Sequence, residues 1–241
     1  MIKFKQAALT ALALLLGGCA STEHRVKSDP IEPFNRGVYR FNDAIDRGAL
    51  KPAAKAYVKV TPDWFRTGVG NFFANLFYPS TIVNQLLQGK VVLAGQDTLR
   101  LLINTTLGWG GVLDVASGAN LPLHDEDSGQ TLGRWGVPAG PYLMLPFLGP
   151  ATVRDAPARI ADDFLRPLRW YSPGSTRWIS LGVNILDTRA GFLPLDATLA
   201  QTYDPYAFIR EAYLQRRQYQ VYDGNPPEEP LEEDFEDEPG P

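Results

Sequence analysis

Apolar positions recur at helical spacing along most of this chain, and proline and glycine cut the pattern into segments. Phe34, Val38, Phe41 and Ile45 fall at i, i+4, i+7 and i+11, one stripe of a helix. Ahead of them, Asp29-Pro30-Ile31-Glu32 has the form of a helix start, with a capping side chain, a proline at the first helical position and a glutamate placed to reach back. Gly48 and Pro52 interrupt that helix, Ala53 to Val60 forms a short one, and Thr61-Pro62-Asp63 opens the next. Phe65, Val69, Phe72, Phe73, Leu76 and Phe77 then cover a broad face until Pro79 stops the segment. Ser80 begins a further amphipathic stretch through Ile82, Val83, Leu86 and Leu87, closed by Gly89 as a C-cap.

Lys90 to Ile103 continues helically into Asn104-Thr105-Thr106-Leu107-Gly108-Trp109-Gly110-Gly111, where glycines and threonines oppose a regular helix. Later helices cover Val153 to Leu165, Ser175 to Leu186 and Asp204 to Tyr222, the last with Asp204 as cap, Pro205 at its first position and Tyr206, Ile209 and Tyr213 as its buried row. Alternation supports no more than one or two short strands, so the fold class is all-α. No segment in this body is apolar all round for the ~20 residues that spanning a bilayer requires.

Gly133 to Pro150 breaks the pattern. Gly133, Gly136, Gly140 and Gly149 and Pro138, Pro141, Pro146 and Pro150 surround Trp135, Tyr142, Leu143, Met144, Leu145, Phe147 and Leu148. A regular helix does not tolerate that density of breakers, and the segment is too apolar for a solvated loop, so it needs a wall or a cavity to pack against. It is either a buried irregular connector or a loop lining a lipid-accessible passage, with Gly133, Gly140, Pro141, Tyr142, Leu145 and Pro146 as the candidate positions.

The N-terminus supplies a location. Lys3 and Lys5 precede a short apolar run from Ala7 to Leu16, and Leu16-Gly17-Gly18-Cys19 ends it with the chain's single cysteine. The run is too short to span a bilayer and reads as a signal peptide over residues 1–18. The small residues before Cys19 resemble a bacterial lipobox, which implies a diacylglyceryl group on the thiol, cleavage before the cysteine and acylation of the new amine. Ala20 follows in place of the aspartate associated with inner-membrane retention, which implies export to the outer membrane. Several acyl chains hold a protein at a bilayer far more firmly than one, since each buried CH₂ adds ~0.8 kcal/mol. Residues 19–28 then form a linker. With acyl chains on Cys19 the helical body sits at a bilayer, and Phe65, Phe72, Phe73 and Phe77 become candidate lipid contacts, with core packing as the alternative.

Charge separates a tail from the body. Asp223 to Pro241 carries nine acidic residues and no basic one, while Ala20 to Tyr222 holds 21 Lys and Arg against 18 Asp and Glu. The tail, residues 223–241, has too little apolar surface to offset its ordering entropy and reads as disordered. The near-neutral body gives no nucleic-acid signature.

Several motifs occur together and in order. They are Asp29-Pro30-Ile31-Glu32-Pro33-Phe34-Asn35-Arg36 with Phe41-Asn42, Asn71-Phe72-Phe73-Ala74-Asn75-Leu76, Val83-Asn84-Gln85-Leu86-Leu87-Gln88-Gly89, and Asn104-Thr105-Thr106-Leu107-Gly108. Gln130-Thr131-Leu132-Gly133, Gly140-Pro141-Tyr142, Leu145-Pro146, Gly149-Pro150 and Arg154-Asp155 follow, then Asp204-Pro205-Tyr206 and Arg210-Glu211-Ala212-Tyr213. Across residues 29–222 the chain resembles the MlaA/VacJ family of outer-membrane lipoproteins. The resemblance implies a single ring-shaped helical domain in the inner leaflet of the outer membrane, anchored on the periplasmic side, with an amphipathic channel through its middle. It implies phospholipids as cargo, a trimeric porin as membrane partner and a soluble periplasmic carrier as recipient. Ser128 and Ala151 depart from the family pattern, where an aromatic and a serine are common.

The candidate chemistry favours a conduit over a catalyst. His24 and His124 are the two histidines, and His124-Asp125-Glu126-Asp127 reads as a solvated acidic turn, because four adjacent loop residues cannot all face one ion. Ser128 lies in no G-x-S-x-G elbow, and Gly89-Lys90 lies in no P-loop. The expectation is therefore no catalytic residue, no metal and no cofactor beyond the diacylglyceryl and N-acyl groups on Cys19. A lipid-modifying hydrolase and a structural lipoprotein are the competing classes.

Overall fold

The structure, a computed structural model, describes residues 28–171 and 174–227. The signal peptide, Cys19, most of the linker and the tail beyond Pro227 lie outside the described residues. In chain order the elements are α1 (Glu32–Ile45), a π-helical turn (Asp46–Leu50), α2 (Lys51–Val60), α3 (Asp63–Leu87), α4 (Val91–Thr106), α5 (Val115–Gly118) and α6 (Ser128–Arg134). A two-stranded ribbon, β1 (Tyr142–Leu145) and β2 (Gly149–Thr152), precedes α7 (Asp155–Leu165), α8 (Leu168–Tyr171) and α9 (Gly174–Phe192). A 3₁₀ turn (Leu193–Leu195), α10 (Asp196–Gln201) and α11 (Pro205–Val221) complete the fold. The all-α class stands, since this antiparallel ribbon, with Tyr142 opposite Thr152 and Leu145 opposite Gly149, is the one sheet among the described residues.

Helix ends follow local chemistry at several predicted points. The Asp204 side chain accepts from the Ala207 backbone N–H at 3.2 Å with Pro205 in the first turn, and Tyr206 is buried. Gly89 takes a φ of 77°, and Lys90 N–H reaches back to Gln85 C=O at 2.9 Å, closing α3. Asp29, by contrast, caps nothing. The residue before α1 is Ile31, without a side-chain cap, and Asp29 is fully buried as an acceptor for Asn35, Tyr206 and Arg210.

Two predicted breaks do not break the chain. Pro79 lies inside α3, which continues as one helix of 25 residues. An internal proline costs ~3 kcal/mol through a lost N–H bond and a clash with the preceding turn. Packing on both sides offsets that here, since Phe73 and Tyr78 are buried before it and Ser80, Thr81, Asn84 and Gln85 after it. Gly48 and Pro52 likewise leave the helical path intact: Asp46–Leu50 winds as a π turn, and Pro52 falls in the first turn of α2.

Packing partners form a closed circuit. The π turn joins α1 to α2, α2 packs on α9, α9 on α3, α3 on α7, α7 on β2, and β1 returns to α1. Arg189 of α9 fixes one joint, clasping Asp46 at 2.7 and 2.9 Å and Asp196 at 2.9 Å. Tyr142, Met144 and Tyr206 form a small hydrophobic cluster at another, with Val38, Tyr39, Ile209, Tyr213 and Leu214 around it.

Candidate functional site

The distribution of polarity is inverted. Among the described residues eighteen polar or charged side chains are buried against twelve hydrophobic ones, six of which are alanines. The large apolar groups lie outside. All five tryptophans, Trp64, Trp109, Trp135, Trp170 and Trp178, are between 58% and 81% exposed. The α1 stripe also faces outward at Phe34, Phe41 and Ile45, while Asn35, about 100° round the helix from Phe34, is fully buried. None of the described helices is long and apolar enough to cross a membrane.

The four candidate phenylalanines separate. Phe65 and Phe72 are exposed, and Phe77 is half-buried with the Arg166 guanidinium 4.5 Å above its ring. Phe73 is only 5% exposed, in edge contact with Phe72, so it is a packing residue and not a lipid contact. Adjacent positions on a helix lie 100° apart, so Phe72 and Phe73 cannot share a direction.

Gly133 to Pro150 is neither featureless nor one loop. Gly133 lies in the last turn of α6, where an added Cβ would sit 2.7 Å from an Arg154 guanidinium nitrogen and 2.8 Å from Val221, so a larger residue would push Arg154 or α11 aside. Gly140 has a φ of 69°, Pro141 is exposed, Tyr142 is buried at the start of β1, Leu145 is half-buried and Pro146 opens the hairpin tip. Phe147 and Leu148 project from that tip, 74% and 66% exposed, and Phe147 meets Phe41 edge to face at 5.3 Å.

Two asparagines hold the hairpin. Asn35 donates to Tyr142 C=O at 3.0 Å and to Asp29 Oδ1 at 2.8 Å, and accepts from Met144 N–H at 2.9 Å. Asn42, two turns along the same face, donates to Leu145 C=O at 3.0 Å and accepts from Phe147 N–H at 2.9 Å. Each amide thus acts as a strand neighbour would, pairing the outer edge of β1 with a helix. Both residues fall in the sequence motifs above without a role evident there, and their seven-residue spacing, which puts them on one face of α1, was the available signal.

Beneath the hairpin lies an ionic network. Arg217 donates to Asp127 at 2.6 and 2.9 Å and to Asp155 at 3.1 and 3.2 Å, while Arg154 Nε and Tyr213 Oη each reach Asp155 at 2.8 Å. Burial pushes the Asp155 carboxyl up, and the Arg154, Arg217 and Tyr213 hydrogen bonds and charges outweigh it, holding the group down at about 2.

The 124–127 turn is not solvated throughout. His124 Nδ1 lies 2.9 Å from buried Asp97, Glu126 pairs with Lys90 at 2.7 Å, Asp127 with Arg217, and only Asp125 stays largely in water. Each side chain therefore goes to a different partner, and among the described residues no group of three could hold a metal. Ser128 Oγ donates to Asp162 at 2.6 Å, away from His124. Asp223, assigned by charge to the tail, pairs with Lys90 and so belongs to the body.

A cavity of about 590 Å³ opens where α2, α3 and the end of α9 meet. Val58, Ala190, Leu193 and Pro194 form apolar walls, with Arg66 and Asp187 as the charged groups. Tyr57 Oη donates to Asp187 Oδ1 at 2.9 Å, and burial, then that bond, pushes the phenol up to about 12.

A family model described as "MlaA lipoprotein" matches residues 27–220. The intermembrane phospholipid transport system lipoprotein MlaA of Escherichia coli (strain K12) is 40% identical over 95% of this chain and 97% of its own. The Haemophilus influenzae protein of the same name is 35% identical over 90% of each chain. A solved structure described as "Structural basis for maintenance of bacterial outer membrane lipid asymmetry" superposes with a TM-score of 0.73 at 37% identity, covering 80% of this chain and 99% of that one. With a family model spanning the whole helical body and relatives at this identity along nearly the full length, the chain belongs to the MlaA lipoprotein family.

Proposed function

We propose that this protein is an outer-membrane lipoprotein that lets phospholipids misplaced in the outer leaflet leave it, passively and uncut, for a soluble periplasmic carrier. Acyl chains on Cys19 hold it on the periplasmic side, and a trimeric porin is its membrane partner. The inverted polarity carries this reading. Apolar side chains placed outward gain ~1.5–3 kcal/mol each when a bilayer replaces water, while the buried polar interior needs no lipid. No helix among the described residues is long and apolar enough to cross, and the outward apolar groups suit a domain seated in one leaflet.

The names of the relatives support phospholipid as the cargo, and a cavity with apolar walls and two charged groups accommodates an amphipathic molecule. A hydrolase would need a nucleophile within reach of a base, and Ser128 is bonded to Asp162 instead. The test is complementation. Cells lacking the protein should become sensitive to detergent with chelator, and Ser128→Ala and His124→Ala should restore resistance as wild type does. Loss of rescue by either variant, with normal folding and location, would favour the enzymatic reading.

A further inference from the structure

The two charged groups of the cavity are not equivalent in their surroundings. Arg66 donates to the Val58 carbonyl at 3.2 Å and to the Thr61 carbonyl, both neutral, and among the described residues its one ion pair is with Asp63, whose side chain is 93% exposed. A pair of that kind is screened by water and salt, so the guanidinium keeps a usable positive charge toward the cavity. Asp187 has no ion pair with any described residue. Among the described residues its one polar partner is the Tyr57 hydroxyl, which carries no charge, so no described cation pairs with the carboxylate at its half-buried position. Its Oδ2 lies toward Gly70 of α3, where an added Cβ would touch it at 3.5 Å, so the carboxylate sits where α3 carries no side chain. The cavity thus offers one cation and one uncompensated anion between apolar walls.

We infer that this cavity selects zwitterionic, primary-amine phospholipid headgroups over anionic ones, with Arg66 meeting the phosphate and Asp187 the ammonium. The inference rests on the phospholipid reading above. An ethanolamine-type headgroup satisfies both charges and gives the carboxylate N–H donors. A glycerol-type headgroup supplies the phosphate but leaves Asp187 facing a hydroxyl and a net negative ligand. The amine therefore decides the preference, and Arg66, serving the phosphate common to both, sets affinity without choosing between them.

Full-length lipidated protein in detergent, given equal amounts of phosphatidylethanolamine and phosphatidylglycerol of identical acyl chains, is read by native mass spectrometry. The expected adduct ratio is about fivefold in favour of the ethanolamine lipid, the factor for an ion pair of about 1 kcal/mol. Asp187→Asn should bring the ratio near one, Asp187→Lys should invert it, and Arg66→Gln should lower both adducts together. High salt should erase the wild-type preference, an arm that needs no variant to fold. A wild-type ratio of one, a ratio indifferent to salt, or a ratio unchanged in well-folded Asp187→Asn would overturn the inference. Retention of neither lipid would instead sink the phospholipid reading, and the selectivity with it.

Discussion

Replacing Asn35 by alanine should cost far more than its side-chain size suggests. The amide makes three hydrogen bonds in a fully buried position, to Asp29, to the Tyr142 carbonyl and from the Met144 N–H. Truncation leaves one buried carbonyl and one buried N–H of β1 without partners, each costing roughly 1–3 kcal/mol, and deprives buried Asp29 of a donor. Asp29 keeps Tyr206 and Arg210, so its share is the smallest, and the total comes to about 3–4 kcal/mol. Asn42→Ala removes two bonds at a half-buried position and should cost only ~1–2 kcal/mol. Asn35→Asp, nearly isosteric, should be at least as damaging as Asn35→Ala, because it places a carboxylate against Asp29 and the Tyr142 carbonyl. Denaturant unfolding in detergent micelles gives the three values, and amide exchange across 142–152 locates the loss. An Asn35→Ala variant within 1 kcal/mol of wild type, or one no worse than Asn42→Ala, would refute the view that helix-borne amides replace a third strand.

Other outcomes follow from the same contacts. Asp155, held at about 2 in the fold against an ordinary value near 4, contributes stability that is complete above roughly pH 4 and lost as pH falls through about 2. That difference is on the order of 2 kcal/mol, so thermal midpoints should drop over that window, and Asp155→Asn should flatten the drop. Gly140→Val imposes a β-branched residue at a φ of 69° beside Val153, costing roughly 1–3 kcal/mol locally, and should impair lipid transport before it lowers the helix content seen by circular dichroism. Cys19→Ala should abolish incorporation of radioactive palmitate and release the protein from stable membrane attachment, and label retained on the variant would overturn the lipidation.

How far the sequence could be read depended on whether a feature is settled locally. The start of α11 was legible because Asp204 and Pro205 act within one turn, and the end of α3 because Gly89 needs a positive φ. Pro79 misled for the complementary reason: its local penalty is outweighed by partners on α7 and in the 124–127 turn, where Asp162 and the Glu126 carbonyl take Ser80 and Thr81. Periodicity identified the α1 stripe but not what it faces, since a helical period marks a face and does not say whether core or bilayer covers it. The same ambiguity put Phe73 beside Phe72 among the candidate lipid contacts. The spacing of Asn35 and Asn42 marked a shared face of α1 but not its partner, and Asp187 carried no signal, because each depends on partners about 100 or more residues away along the chain.

The central claim is that phospholipids leave the outer leaflet through this protein without being cut. The most direct measurement is the amount and chemical form of phospholipid in the outer leaflet of intact cells with and without the protein, read with a membrane-impermeant headgroup label and by mass spectrometry of the labelled lipid. The account predicts that surface phospholipid rises in its absence, returns to the wild-type level on complementation, and carries both acyl chains throughout. Unchanged surface phospholipid, or lysophospholipid and free fatty acid appearing only when the protein is present, would contradict it.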